Sequence, residues 1–240
     1  MQAIILAAGE GTRLKELTAF TPKPMLKVGQ KPLLFHIIST MKEVGITDFT
    51  IITKYLEDII KDYFGDGSAF GVNIRYITQP EKYGTGAGVA AAESVIKDDE
   101  VFITFGDILV PASTYRSVIE LYRQKSATGV LALNYVDDPS NGAAVVVDEN
   151  QKITEIVEKP KKEDAPSNWN NSGVMLLSRE VFDLVRELKP SPRGEYELTT
   201  AIENMIENTG NVYGYCQNET EFWQDIGTKE DLEKANKLLG

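Results

Sequence analysis

The sequence of 240 residues contains one cysteine, Cys216, and one histidine, His36. A single cysteine excludes an intramolecular disulfide, as is typical of proteins in a reducing compartment. No apolar run is long enough to span a membrane, and the N-terminus lacks the basic and apolar regions of a signal peptide. These absences predict a cytoplasmic protein that has no membrane partner.

Positive charge is also scarce. The chain has 25 Lys and Arg against 36 Asp and Glu, which gives a net charge of −11. An acidic chain is not attracted to a nucleic-acid backbone, so we expect no nucleic-acid partner. If the protein binds a polyanion, it must do so through a few local cations or a metal ion.

Short β-branched segments alternate with longer helical patterns, and this order predicts a single α/β domain with a mostly parallel sheet and helices on both faces. His36 lies within a helical pattern and is predicted to be structural. The predicted strands are 3–7, 49–53, 72–77, 101–105, 129–136, 143–148, 152–159, 173–178 and 211–216, and the predicted helices are 33–45, 56–65, 86–96, 180–188, 195–208 and 228–239.

The first strand is followed by the loop "LAAGEGTRL" at 6–14. Gly9 and Gly11 would let the backbone approach a phosphate, while Thr12 and Arg13 could donate hydrogen bonds to it. Leu14 stands where a dinucleotide fingerprint needs a third glycine, and no Gly-Lys-Ser/Thr follows as in a Walker A loop. The loop therefore indicates either another kind of phosphate site or a plain tight turn.

Three further residues carry charges that suit a phosphate site. Lys23 lies in "TPKPM", where the prolines on both sides stiffen the backbone; the alternative is a solvated lysine in a surface turn. Asp107 follows the apolar strand 101–105, and Asp225 lies in "WQDIGT". Carboxylates at strand ends can hold Mg²⁺ beside a phosphate, but the spacing leaves open whether the two meet.

Six motifs occur in a characteristic order: "LAAGEGTRL…TPKPML…KPLL", "QPEKYGTGAG", "FGD", "EKP", "NSG" and "WQDIGT". Together they resemble the sugar-1-phosphate nucleotidylyltransferase family, and most closely its glucose-1-phosphate thymidylyl- and uridylyltransferases. The resemblance covers essentially the whole chain. It implies a Rossmann-like fold of the nucleotide-diphospho-sugar transferase type, with a nucleotide-binding half at 1–110 and a sugar-phosphate-binding half at 111–240.

The resemblance also implies roles for individual residues. Arg13, Lys23 and Lys159 would be the catalytic cations, and Asp107 and Asp225 would hold Mg²⁺. The residues implied for the nucleotide are Leu6, Ala8, Gly9, Gly11, Thr12, Arg13, Gln79, Gly84 and Thr85. Those implied for the sugar phosphate are Gly142, Glu158, Lys159, Asn171 and Arg193. The sequence contains none of the hexapeptide repeats that build a left-handed β-helix in the fused acetyltransferase-type relatives.

The implied reaction joins UTP or dTTP to a sugar 1-phosphate, with glucose 1-phosphate as the expected sugar, and releases pyrophosphate. N-acetylglucosamine 1-phosphate and GTP or CTP remain alternatives, and the oligomeric state is open, a homo-oligomer included. Two other classes of protein are alternatives. One is a glycosyltransferase, which usually has an Asp-x-Asp motif; this chain has Asp107, Ile108 and Leu109 there, which argues against that class. The other is a non-catalytic regulator that binds a nucleotide sugar.

Overall fold

The computed structural model describes residues 1–239, apart from the side chain of Lys15. The strands are β1 (Gln2–Leu6), β2 (Lys27–Val28), β3 (Lys31–Pro32), β4 (Asp48–Thr53), β5 (Asn73–Thr78), β6 (Glu100–Phe105), β7 (Ile108–Leu109), β8 (Gly129–Tyr135), β9 (Ala143–Val147), β10 (Ile153–Glu158), β11 (Trp169–Ser178), β12 (Val212–Cys216) and β13 (Gln224–Asp225). The helices are α1 (Leu33–Glu43), α2 (Glu57–Phe64), α3 (Thr85–Ala91), α4 (Ala112–Lys125), α5 (Val181–Glu187), α6 (Leu198–Thr209) and α7 (Lys229–Leu239).

One nine-stranded mixed sheet runs through the protein. Strands β5, β4, β1 and β6 are parallel neighbours in that order. Strand β11 adds antiparallel to β6, and β8 and β9 both pair with β11. Strands β10 and β12 complete the sheet on β9 and β8. The α/β class and the mixed sheet flanked by helices are therefore confirmed.

The order of the parallel strands creates a crevice between β1 and β6. The chain moves from β1 to β4 and β5 on one side, and then returns to place β6 on the other side of β1. The carboxyl ends of strands at such a switch point form the ligand crevice of open α/β sheets. The loop after β1 and the Gly106–Asp107 pair leave the sheet here, with the Gly106 amide donating to the Leu6 carbonyl at 2.9 Å.

Apolar side chains on the two faces of the sheet pack into two separate core clusters. In β6, Phe102 belongs to one cluster, whereas Val101 and Ile103 belong to the other. This alternation follows from the two-residue period of a strand. With both faces covered, the strands are fixed in position, and the loops at their ends are held by a rigid base.

Several elements differ from the sequence-based expectation, among them the unpredicted short strands β2, β3, β7 and β13. Helix α4 was not predicted, although Tyr115, Val118 and Ile119 are buried at helical spacing. Strand β11 begins at Trp169, four residues before the predicted strand at 173–178, because its first residues pair with the far end of β8.

Within residues 1–239, no helix is long and apolar enough to cross a membrane. The cytoplasmic location stays a prediction. His36 lies in α1, where its Nε2 is 2.9 Å from the Val28 carbonyl oxygen. This contact supports the structural role that was predicted for the histidine.

The middle of β11 is bent at Gly173. The pairing register with β8 shifts between Asn171 and Met175, and Gly173 has a φ of +84°. A Cβ at this position would lie 2.7 Å from Cδ2 of Phe105. Glycine is therefore required by backbone conformation and by space.

We expect Gly173→Ala to lower the free energy of unfolding by about 2 kcal/mol or more, because it combines left-handed strain with overpacking. Urea denaturation measures the change. Gly9→Ala is the matched control, since among the described atoms beyond its two chain neighbours none lies within 4 Å of a Cβ there, and its effect should stay within about 0.5 kcal/mol. Equal losses in the two variants would contradict this account of Gly173.

Candidate active site

A buried lysine lies between two carboxylates at the crevice. Lys23 is 8% exposed; its Nζ is 2.5 Å from Oδ2 of Asp107 and 3.7 Å from Oδ1 of Asp225. The question that the spacing left open is thus resolved, because Asp107 and Asp225 converge on one ammonium group. Pro22, with a φ of −64°, leads into the short turn that carries Lys23.

The two aspartates reach this point through a small antiparallel ribbon. Strand β7 follows Asp107 directly, and it pairs with β13 so that Asp225 lies opposite Ile108. The Ile226 amide donates to the Asp107 carbonyl at 3.1 Å. The ribbon, rather than the main sheet, sets the distance between the carboxylates.

The environment of Asp225 disfavours its negative charge. Burial and the neighbouring Asp107 raise the pKa of Asp225 to about 6, although Lys23 and Arg13 act in the opposite direction. Oδ1 of Asp225 is buried and makes no hydrogen bond with the described residues. A carboxylate oxygen in this state suits a cation that would bind it directly.

The glycine-rich loop surrounds a cavity of about 330 Å³, which we call the loop cavity. Gly11 has a φ of +64°, and a Cβ there would lie 2.9 Å from Thr18 Cγ2 and 3.2 Å from Lys23 Cβ. Gly11 therefore allows the loop to fold against Lys23. The loop cavity is lined by Gly9, Glu10, Gly11, Thr12, Arg13, Leu14, Lys23, Tyr83, Asp107 and Gly227.

Beside it lies the edge cavity, of about 220 Å³. Gln79 is buried here, and its Nε2 donates to the Gly84 carbonyl at 3.0 Å. This bond fixes the orientation of the amide, so its Oε1 is left as an acceptor. The edge cavity is lined by Leu6, Ala8, Gly9, Gln79, Tyr83, Gly84, Thr85, Phe105, Asp107 and Glu195.

The inner cavity, of about 250 Å³, lies on the side of the second half of the chain. Its lining includes Gly142, Glu158, Lys159 and Asn171, as well as Thr85, Asp107, Ser172, Thr199, Trp223 and Asp225. Lys159 has a φ of +43°, which is unusual for a residue with a side chain. Its amide donates to the Gly142 carbonyl at 2.7 Å.

Arg193 contacts acidic groups at the border of the inner cavity. Its Nη2 is 3.2 Å from Glu158 Oε1 and 2.7 Å from Glu197 Oε1. Glu158 also accepts from Thr199 Oγ1 at 2.6 Å. The predicted sugar-phosphate residues Arg193 and Glu158 thus contact each other directly. Arg193 also bonds to Glu197, a carboxylate that the sequence did not single out.

Trp223 and Tyr83 were also missed at the sequence level. Trp223 lines the inner cavity, with its Nε1 donating to the Ser172 carbonyl at 2.9 Å. Tyr83 lines both of the other cavities. Both residues lie inside motifs quoted above, "WQDIGT" and "QPEKYGTGAG". Their position close to the predicted site residues Asp225 and Gly84 could have identified them from the sequence.

The three cavities meet at Asp107, which lines all of them. Arg13 and Lys23 lie on one side of this point, and Lys159 lies on the other. The site therefore offers cations on both sides of a carboxylate pair in a chain of net charge −11. Such an arrangement can hold two phosphorylated ligands next to one another.

A glycine-rich loop and cations at the switch point of a parallel sheet are typical of α/β proteins that bind nucleotide phosphates. Comparison with known proteins narrows this class. A family profile described as "Nucleotidyl transferase" matches residues 2–240. The chain belongs to the nucleotidyl transferase family.

Several curated relatives are similar over nearly the whole chain. The bifunctional protein GlmU of Methanococcus maripaludis strain C7 is 38% identical over 98% of this chain and 54% of its own length. A mannose-1-phosphate guanylyltransferase of Mycobacterium tuberculosis is 32% identical over 100% of this chain and 64% of its own length. The chain thus spans about half the length of the GlmU relatives that it matches.

Two solved structures share the fold. A Bacillus anthracis protein described as a glucose-1-phosphate thymidylyltransferase superimposes with a TM-score of 0.88 at 32% identity, over 100% of this chain and 95% of that one. A UDP-glucose pyrophosphorylase complexed with UDP-glucose gives a TM-score of 0.89 at 23% identity, over 99% and 97% of the chains. The second likeness concerns the fold alone.

In the presence of EDTA, we expect Asp225→Asn to be more stable than the wild type at pH 7.5. The pKa of about 6 in the folded protein lies above the ordinary value of an aspartate carboxyl, about 3.8. The folded wild type therefore binds the proton more tightly than the unfolded chain and loses stability as pH rises from about 4 to about 6. Asparagine lacks this charge. The melting temperature of the variant should be higher by about 2 °C or more above pH 6, and the difference should vanish below pH 4.

Asp62→Asn, at an exposed position of α2, is the control and should show no such pH-dependent difference. A wild type that is more stable than Asp225→Asn at pH 7.5 would contradict the electrostatic account of Asp225.

Proposed function

We propose that this protein is a sugar-1-phosphate nucleotidylyltransferase. It transfers a nucleotidyl group from UTP or dTTP to a sugar 1-phosphate, with glucose 1-phosphate as the expected substrate, and releases pyrophosphate. The observation that carries the proposal is the meeting of three cavities at Asp107, with Lys23 and Asp225 beside it. The loop, edge and inner cavities would hold the triphosphate, the base and the sugar phosphate.

The orientation of Gln79 supports a uracil or thymine base. Because Nε2 donates to Gly84, Oε1 can accept the N3–H of either base. Cytosine and adenine present an unprotonated nitrogen at the corresponding position, which would leave Oε1 facing another acceptor. Guanine has an N–H at its edge, so GTP remains a second candidate, which the similarity to a guanylyltransferase also supports.

The choice of sugar depends on the inner cavity. Asn171 Oδ1 already accepts from the Gly173 amide at 3.1 Å. Its Nδ2 donates one hydrogen to Met175 Sδ at 3.7 Å, which leaves the second hydrogen for a ligand. An amide donor suits a sugar hydroxyl as in glucose 1-phosphate. It also suits the carbonyl of an N-acetyl group, which supports N-acetylglucosamine 1-phosphate as the alternative.

The residues present fit a magnesium ion. Asp107 and Asp225 supply the hard oxygen ligands that Mg²⁺ takes, and Oδ1 of Asp225 makes no hydrogen bond among the described residues. These two carboxylates would hold the ion, which supplies Lewis-acid stabilisation of phosphate charge. Lys23 would then be released toward the triphosphate.

The reaction needs positioning and charge stabilisation rather than covalent catalysis. Arg13 and Lys23 would hold the triphosphate, and Lys159 the phosphate of the sugar. An oxygen of that phosphate attacks the α-phosphorus in line, the bond from the α-phosphorus to the bridging oxygen breaks, and pyrophosphate leaves with the electron pair. A phosphate monoester with a second pKa of about 6 is already mostly a dianion at neutral pH, so no side chain must remove a proton.

A matrix of nucleoside triphosphates against sugar 1-phosphates, with pyrophosphate release as the readout, tests the proposal. We expect UTP and dTTP to exceed ATP and CTP in kcat/KM by about a hundredfold, since a wrong base leaves buried polar groups unpaired. Gln79→Glu should reduce this preference. A protein that releases no pyrophosphate with any pair would be a regulator, and one that consumes a nucleotide sugar without pyrophosphate would be a glycosyltransferase.

Asp107→Asn and Asp225→Asn should each lower kcat by about a hundredfold or more, because each removes a charged ligand from the metal site. A magnesium titration of pyrophosphate release measures the loss. Asp62→Asn serves again as the control of equal charge change. If either site variant reaches nearly the wild-type rate at saturating Mg²⁺, then the assignment of that carboxylate to the metal is wrong.

A further inference from the structure

Glu221 accepts hydrogen bonds from two separate parts of the chain. Its Oε1 accepts from Ser113 Oγ at 2.7 Å and from Thr114 Oγ1 at 3.2 Å. Its Oε2 accepts from Tyr215 Oη at 2.6 Å, and from the backbone amide and Nδ2 of Asn218 at 3.3 and 3.2 Å. These donors are all neutral, so geometry rather than an opposite charge fixes the carboxylate.

Two of these hydroxyls belong to the first turn of α4. The residue before this helix is Pro111, which makes no side-chain cap. Free backbone amides and the helix dipole favour a negative group at such a terminus. Burial raises the pKa of Glu221, but the hydrogen bonds from Tyr215 and Ser113 bring it below its ordinary value, so the carboxylate is charged at neutral pH.

The contact lies at one end of the ribbon that carries the two candidate metal ligands. Strand β7 leads from Asp107 toward α4, and the chain after Glu221 passes Trp223 and enters β13, which ends at Asp225. Glu221 therefore joins the ribbon at the end opposite to the aspartates. Each strand has two residues, and a two-stranded ribbon this short is marginal without outside support.

Other contacts fix the same segment nearer to the site. Trp223 is bonded to the Ser172 carbonyl, and the Ile226 amide to the Asp107 carbonyl. They restrain the aspartate end, whereas Glu221 links the start of the segment to α4. Without the link through Glu221, only these contacts would restrain β13 on β7.

We propose that Glu221 is a positioning residue, which ties β13 to the N-terminus of α4 and so holds Asp107 and Asp225 at the separation needed to share one divalent cation. The inference rests on the proposed function, in which these two carboxylates bind Mg²⁺. It assigns to Glu221 an effect on cation affinity, exerted through the ribbon and without contact to the ion.

The test measures binding of Mn²⁺ alone to the full chain, from the electron paramagnetic resonance signal of the free ion. Glu221→Gln should raise the Kd of Mn²⁺ by about tenfold, as for groups that orient metal ligands. The Mg²⁺ concentration for half-maximal kcat should rise by a similar factor, while KM for UTP at saturating Mg²⁺ stays nearly unchanged. Glu219→Gln, an exposed position two residues away, should leave the Kd unchanged.

Asp107→Asn distinguishes a failure of the proposed metal site from a failure of the positioning role of Glu221. If Asp107→Asn weakens Mn²⁺ binding and Glu221→Gln does not, the positioning role is overturned and the metal site stands. If neither variant changes the Kd, the carboxylate site fails and the positioning role fails with it. A lower melting temperature of Glu221→Gln with a wild-type Kd would mean a structural role only, and would also overturn the proposal.

If Glu221→Gln does not fold, as judged by circular dichroism, then Ser113→Ala tests the positioning role in its place. It removes one hydrogen bond to Oε1 and should raise the Kd of Mn²⁺ by about threefold, the effect of one such bond. An unchanged Kd in folded Ser113→Ala would overturn the proposal.

Discussion

The repulsion between Asp107 and Asp225 is the constraint around which the site is arranged. Two carboxylates in a partly buried crevice require a nearby cation, and Lys23 provides one positive charge for both. Its contacts are unequal, at 2.5 and 3.7 Å, so the farther carboxylate is left poorly compensated. A divalent ion would neutralise the pair more fully, and the ammonium group could then serve a phosphate instead.

The sheet brings these groups together from distant parts of the chain. Asp107 follows the end of β6 after Gly106, Asp225 lies on the β7–β13 ribbon, and Lys23 is carried by a proline-bounded turn after β1. Each element is anchored in a core that is closed on both faces of the sheet. An acidic protein can in this way concentrate cations at one point, where local charge matters more than the net value.

Features that depend on neighbouring residues could be predicted from the sequence. The glycine loop follows a buried strand, and Asp107 follows an apolar run, so both could be placed at the crevice. The meeting of Asp107 with Asp225 could not be predicted, because it depends on a ribbon between segments far apart in the chain. The same holds for the contact of Arg193 with Glu158, which lies in β10.

One residue that lines the inner cavity has an unfavourable backbone conformation. Lys159 has a φ of +43° although it carries a side chain, whereas Gly173, with a φ of +84°, is a glycine and adopts such a conformation readily. A left-handed conformation of a residue with a side chain costs about 1 kcal/mol or more and persists only where the surroundings determine it. A glycine at position 159 would relieve the strain but would remove a cation from the inner cavity. At this position, therefore, the strain cannot be separated from the charge that the proposed reaction requires.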